Sequence, residues 1–429
     1  MSSLLASACP LTSSRRRSAS NQPSFFYQNK QLELYARRDA YPLTLRQLVY
    51  FGRSLNENKV LQSANYVRKE LPVRIAHRLR DIQALPYVVV TQEGVGKVYE
   101  LYWAAFEKIR RYPEVRSLSE NDAFCTFLQD LLGEHRAVIP LLSLGLSLSS
   151  PYLPPEQLDS FMRRMLVSRL SRRVIVEHHI ALSDTYAGRD ARGADAHVGI
   201  IDTRLDVGRT IQKCSSWLRE RHPDAEPDEV PGISTVAWPE VVVEGQLATT
   251  ISYIREHLEY IVFEILKNSM RATRRFHATS KSVPPIYVTV VGNSDTVGVR
   301  ISDQGGGLVT KAIKSPSDLF SFSHARNASR LEDERLVALR TASSHPHGIR
   351  ATVDEQVKRW KNGSSLGDGD VPGRGSSRVL SRIGIGLPMS HIHATYFGGS
   401  LELVSLDGWG TDCYVRLPRL GTNVEGIEV

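Results

Sequence analysis

Cysteine is scarce in this sequence. Only Cys9, Cys125, Cys214 and Cys413 occur in 429 residues, far apart and without C-x-x-C or mixed cysteine/histidine spacing. A disulfide framework and a zinc ribbon are both excluded, and a reducing compartment is indicated. Long apolar runs are missing too. A bilayer span needs roughly 20 uninterrupted apolar residues, and the nearest approach, Ala137 to Leu153, is broken by Pro140, Gly145, several serines and Pro151. No membrane span is expected. Acid is absent from the first 32 residues, which carry Arg15, Arg16, Arg17, Lys30 and eight serines. That composition predicts a mitochondrial import segment over residues 1–40, with a disordered basic tail as the plainer alternative; the apolar part is too short for a secretory signal.

What is present is ordinary for a folded chain: 41% apolar and 23% charged residues. The length exceeds what one hydrophobic core fills, so two domains are expected. Lysine and arginine number 54 against 46 acids, a formal charge of +8. The surplus is local. It sits in the opening segment and in residues 308–383, where 13 basic residues face 8 acids. The rest is close to neutral, so no nucleic-acid partner is expected, because dense phosphate contacts need a basic folded surface.

Apolar residues recur at three- and four-residue steps through LTLRQLVYFGRSL, YVRKELPVRIAHRLRDIQAL, VGKVYELYWAAFEKIRRY, NDAFCTFLQDLLGEHRAVIPLLSLGL and PEQLDSFMRRMLVSRLSRRVIVEHHIAL. This pattern predicts an antiparallel helical bundle over residues 41–183. The polar stretch DTYAGRDARGADA, residues 184–196, reads as a linker. Residues 197–420 read as α/β, with helices over 250–276 and 387–397. Two hairpins are legible, one turning at Asn293-Ser294-Asp295 and one at Asp407-Gly408. Residues 308–383 form a long insertion with weak helical pieces at ERLVALRTA and DEQVKRW, and residues 421–429 a tail.

Three motifs carry chemistry. In EHLEYIVFEILKNSMRATRR, Glu264, Asn268 and Arg271 fall within about 60° of one another on a helix, opposite Leu258, Ile261, Ile265 and Leu266. A carboxylate can accept a proton, and an amide oxygen one turn on can ligate Mg2+; a solvated polar stripe would look the same. ISDQGGG puts Asp303 at a strand end before Gly305, Gly306 and Gly307, where a ligand could approach closely or the chain could simply turn. In RIGIGLPMSHIHATYFGGSLELVSLDGWGTDCYVRL, Gly384 and Gly386 lead into a helix begun by Leu387-Pro388, a geometry suited to phosphate, and a hairpin bearing Thr411 follows. Neither a P-loop nor a dinucleotide fingerprint occurs.

In that order, the motifs resemble the Bergerat-type ATP-binding fold of bacterial histidine kinases and DNA gyrase. EILKNSMRAT, ISDQGGG, GIGLPMSHIHATYFGGSLEL and GWGTDCYVRL, with LRQLVYFGR, ELPVRIAHR and SRLSRRVIVEHHIAL, are most similar to the mitochondrial kinases of 2-oxo acid dehydrogenases, pyruvate and branched-chain. The resemblance runs from Pro42 to Pro418. It implies a helical bundle followed by a Bergerat α/β sandwich with an enlarged ATP lid at 308–383. It also implies a matrix protein-serine kinase that inactivates its dehydrogenase by phosphorylating the α subunit.

The resemblance further implies that Glu264 orients or deprotonates the serine hydroxyl and Asn268 holds Mg2+. Lys267 and Arg271 would lie near the phosphates, and Asp303 would bind the adenine amine. Gly305 and Gly307 would make room for the nucleotide, and Thr411 would line the adenine. Gly384 and Gly386, with Arg382 and Leu387 beside them, would form the lid hinge and phosphate contact. ATP and Mg2+, with K+ as a further candidate ion, are the implied cofactors. A lipoyl domain of the acyltransferase core and a second copy of the chain are the implied partners besides the α subunit.

Three features depart from the pattern, one of them the length of residues 308–383, far beyond the family's lid. Tyr260 stands one turn before Glu264, where pyruvate-acting members carry histidine, and is more like the branched-chain branch. Arg382 occupies the first glycine slot of the usual G-x-G-x-G. Arg382 and the enlarged insertion motivate a second reading, a catalytically silent scaffold, and the His178-His179 pair a third, a histidine kinase or ATPase. A structural role is the simpler reading of that pair, and of His391 with His393 and His345 with His347.

Overall fold

Several helix starts in the helical half are marked by capping side chains. A computed structural model describes residues 29–149, 152–189, 196–220, 237–280, 282–308, 316–322, 385–420 and 425–426. Asn29 accepts N–H bonds at the head of α1 (Lys30–Ala36), Thr44 and Gln47 form a capping box at α2 (Leu45–Gly52), and Asn56 caps α3 (Glu57–Gln83). Each cap satisfies an N–H that has no partner inside its helix. There follow α4 (Tyr87–Val90), α5 (Glu93–Arg110), α6 (Leu118–Glu134) capped by Ser117, a 3-10 turn His135–Ala137, α7 (Val138–Leu148) and α8 (Pro155–Tyr186). α3 lies at the centre and packs against α1, α5, α6 and α8.

Beyond α8 come β1 (His197–Val198), β2 (Ile201–Asp206), α9 (Val207–Glu220), β3 (Val241–Gly245), β4 (Thr250–Ile254) and α10 (Arg255–Phe276). They are followed by β5 (Ile286–Gly292), β6 (Thr296–Ser302), a 3-10 turn Pro316–Phe320, α11 (Gly386–Thr395), β7 (Ser400–Leu406) and β8 (Gly410–Pro418). One sheet has the order β1-β2-β4 and the other β3-β5-β6-β8-β7. Within the larger sheet β3 runs parallel to β5 and the remaining pairs are antiparallel. Among the described residues a helical stretch is therefore followed by mixed helix and sheet, without a barrel. α10 packs against β2, β4, β6, β8, α9 and α11, and one apolar core runs from Leu32 to Leu417.

Three expectations change. Residues 30–36 are helical, with Leu32 and Ala36 buried against α3, so the end of the segment assigned to residues 1–40 is part of the folded body. Residues 250–254 are a strand, not the first turn of a helix, because Ile251 and Ile254 pair with Leu205 and Ile201 of β2 and are buried there. α8 runs to Tyr186, past the helix end expected near Leu182 and into the stretch read as linker. The segment 1–28, both weak helical pieces of the insertion, Arg382, Gly384, His345 and His347 lie outside the described residues.

Among the described residues no helix is long and apolar enough to cross a membrane.

Candidate functional site

α10 owes its position to a buried face: Leu258, Ile261, Ile265 and Leu266 are all in the core. Its polar face is graded rather than uniformly wet. Glu264 is 5% exposed, while Asn268 is exposed and Lys267 and Arg271 are half-buried. Lys267 Nζ sits 2.5 Å from Glu264 Oε1, an ion pair that offsets the cost of burying the carboxylate. A solvated stripe would not hide the one group able to accept a proton.

The second motif is fastened to the same helix. The carboxylate of Asp303, just past β6, accepts the Gly305 N–H at 2.9 Å and the Thr411 N–H at 3.2 Å, and Ser269 of α10 hydrogen-bonds it. Burial nevertheless raises the Asp303 pKa above its ordinary value, because desolvation outweighs those bonds. Gly305 is glycine for space: a Cβ there would lie 2.6 Å from the Ala272 Cβ on α10. Gly307 has φ +76°, a conformation costly for residues with a Cβ. The loop is tied to the β7–β8 turn by Gly306 N–H to the Trp409 carbonyl, Gly408 N–H to the Gly306 carbonyl, and Leu308 N–H to Ser405 Oγ.

The third motif closes the arrangement. Gly386 opens α11, and a Cβ on it would fall 2.1 Å from Glu264 Oε2. The Tyr260 hydroxyl donates to the Gly386 carbonyl at 3.4 Å. The N-terminus of α11, with its free N–H groups and positive dipole end, therefore lies over the Glu264 carboxylate. Leu387 is half-buried at the same helix start, and Thr411 is half-buried beside Asp303.

Glu264, Lys267, Asn268, Arg271, Asp303, Gly305, Gly307, Gly386, Leu387 and Thr411 are thus gathered around one helix, α10, and the loops packed on it. Sequence reading missed Ser269, which bridges α10 to Asp303, and Gly410, where a Cβ would lie 1.9 Å from the Asp303 carbonyl oxygen. The signal for Gly410 was the G-T pair in GWGTD; Ser269 gave none. Glycine backbones facing a buried carboxylate, an exposed amide and a helix N-terminus suit a nucleotide bound through base and phosphates. Among the described residues no group of three or more His, Cys, Asp or Glu side chains could hold a metal by itself.

The two histidine pairs among the described residues lie outside this group. His178 and His179 are buried in α8, and burial lowers their pKa values to about 4 and about 3. His179 Nδ1 lies 3.0 Å from Ser63 Oγ, inside the helical core. Burial also lowers His391 to about 4, beside Arg163 and packed at a tilt against Phe320, while the buried His393 packs on His257.

The comparisons all name dehydrogenase kinases. A family profile described as mitochondrial branched-chain alpha-ketoacid dehydrogenase kinase matches residues 42–202. A mitochondrial pyruvate dehydrogenase (acetyl-transferring) kinase 2 from Saccharomyces cerevisiae is 28% identical, covering 95% of this chain and 88% of its own length. A mitochondrial pyruvate dehydrogenase (acetyl-transferring) kinase of Arabidopsis thaliana is 27% identical over 90% of this chain and 92% of its own length. The mitochondrial kinase isozyme 4 of Homo sapiens is 27% identical over 93% and 86%. The molecule is a protein kinase, and it uses ATP. Over most of its length it is similar to mitochondrial 2-oxo acid dehydrogenase kinases.

Proposed function

We propose that this chain transfers the γ-phosphoryl group of ATP to a serine on the α subunit of a 2-oxo acid dehydrogenase in the mitochondrial matrix and thereby inactivates it. One observation carries the reading: the buried Glu264 carboxylate lies under the glycine start of α11, on the helix whose Ser269 and Ala272 hold Asp303 and Gly305. The catalytic carboxylate, the phosphate end and the adenine end thus share one rigid support, as a Bergerat-type fold requires.

In this proposal the Asp303 carboxylate accepts the adenine amine, Thr411 lines the base, and Gly305 and Gly307 admit it. The α11 N–H groups at Gly386 and Leu387, with Lys267, Arg271, Gly384 and Arg382, face the phosphates. Asn268 would hold Mg2+, which neutralises phosphate charge when bound; a single amide oxygen suits an ion that takes its other ligands from phosphates and water. K+ as a further ion belongs to the same proposal. Glu264 orients the incoming serine hydroxyl and accepts its proton, and Lys267 keeps that carboxylate poised. Catalysis is then positioning plus charge stabilisation.

The helical stretch would be the unit that docks on a lipoyl domain of the acyltransferase core. The outer face of the larger sheet, where Tyr287, Val291, Val404 and Tyr414 are exposed, would meet a second copy. Two α subunits compete as substrate. The relatives are named for pyruvate dehydrogenase, whereas Tyr260 and the family profile favour the branched-chain enzyme. Incubating the chain with Mg-ATP and each α subunit separately decides between them. Glu264→Gln is expected to slow transfer about a hundredfold or more. Transfer to neither subunit, or equal rates for Glu264→Gln and wild type, refutes the proposal.

A further inference from the structure

A buried charge cluster away from Glu264 joins three distant parts of the chain. Arg74 of α3 is 2% exposed. Its Nη2 donates to Glu425 Oε1 at 2.8 Å and to the Tyr41 carbonyl at 2.7 Å, its Nε donates to Glu70 Oε1 at 2.9 Å, and its Nη1 reaches Ser171 Oγ of α8. Glu425, expected to lie in a tail, is also 2% exposed. Its Oε1 accepts the Leu43 N–H at 3.0 Å, its Oε2 accepts the Tyr396 hydroxyl, and its own N–H donates to the Leu43 carbonyl at 2.8 Å. Gly426 N–H donates to the Tyr396 carbonyl at 2.9 Å. Burial works against charge on Arg74, but its neighbours, Glu425 foremost, more than reverse it, so the Arg74 pKa is raised and the guanidinium stays charged.

Tyr396 is the residue directly after α11, the helix whose first residue lies on Glu264. The helix is ten residues long, about 15 Å at the usual rise, and moves as one piece. Buried ionic groups contribute little net stability and are best attested as devices that fix one arrangement. We infer that Glu425 is a positioning residue for the kinase reaction: by holding Tyr396 to Arg74 it fixes the far end of α11 and so seats Gly386 against Glu264. The inference rests on the proposed placement of the phosphates at the α11 N-terminus. It makes the phosphate grip, but not the adenine grip, depend on the helical half of the molecule.

The test uses the full chain carrying Glu425→Gln or, independently, Tyr396→Phe. Arg74 keeps Glu70 in both, so both are expected to fold. Calorimetric titration with Mg-ATP is expected to show affinity reduced about tenfold, the scale of coupling through packed elements, with adenosine affinity unchanged. Unchanged ATP affinity with only a lowered melting temperature overturns the inference, and so does equal weakening of both ligands. The underlying site reading has its own check. If wild type binds no Mg-ATP, or if Asp303→Asn binds adenosine as tightly as wild type, that reading falls and the inference falls with it.

Discussion

Gly386 is the position where one methyl group would have the largest effect. Because a Cβ there would sit 2.1 Å from Glu264 Oε2, Gly386→Ala must push the carboxylate aside. A displacement near 1 Å can cost about a hundredfold in rate, whereas the flexible end of a glutamate yields without unfolding the protein. The expected outcome is a large fall in kcat with a melting temperature close to wild type. Asp303 supplies a second residue-scale expectation. Its pKa is raised by burial, and in the proposed complex an adenine amine would donate to the ionised form, so binding would pull that pKa down. ATP affinity should therefore weaken as pH falls through the raised value and level off above it. Calorimetry across pH checks this, and Asp303→Asn should bind weakly with that dependence gone.

Among elements, α10 was the most legible because its apolar and polar faces repeat at 3.6 residues. Its start was not. Ile251, Tyr253 and Ile254 extend the apolar pattern backwards, and only their partners in β2 reveal a strand. β3 escaped for a related reason: its parallel partner β5 begins more than forty residues later, so no local turn announces the pair. The two hairpins were read correctly because their strands and turns are contiguous. In the first, Asn293 Oδ1 accepts the Asp295 and Thr296 N–H groups, the chemistry an asparagine turn advertises. Gly410 shows how tightly elements meet at the site. Gly410→Ala would drive a Cβ into the Asp303 carbonyl and the Gln304 backbone, so it should cost about 1–3 kcal/mol or more in urea unfolding, as overpacking does.

At the scale of the whole molecule, buried neutral histidines set the response to acid. His135, His178 and His179 have folded-state pKa values lowered to about 3, about 4 and about 3 by burial. The unfolded chain takes up their protons below about pH 6.5 while the folded one does not, so stability is complete above that pH and is lost as pH falls toward 4. Each contributes about 2 kcal/mol of that loss at pH 5. Urea midpoints at pH 7 and pH 5 should differ sharply, and His178→Gln should reduce the difference. The same burial argues against a phosphohistidine, since neither ring of the α8 pair reaches solvent. The motif residues could be picked out from sequence because each motif is local. Glu425 was not, since its partners Arg74 and Tyr396 are set by folding and nothing in VEGIEV distinguishes a buried glutamate from a solvated one.

The Trp409 carbonyl holds the Gly306 amide, yet its indole is 60% exposed. An intrinsic fluorophore thus stands on the rim of the proposed adenine end. Displacement of the glycine loop by an incoming base would alter the polarity around that ring, so emission wavelength can follow occupancy in real time without any attached dye.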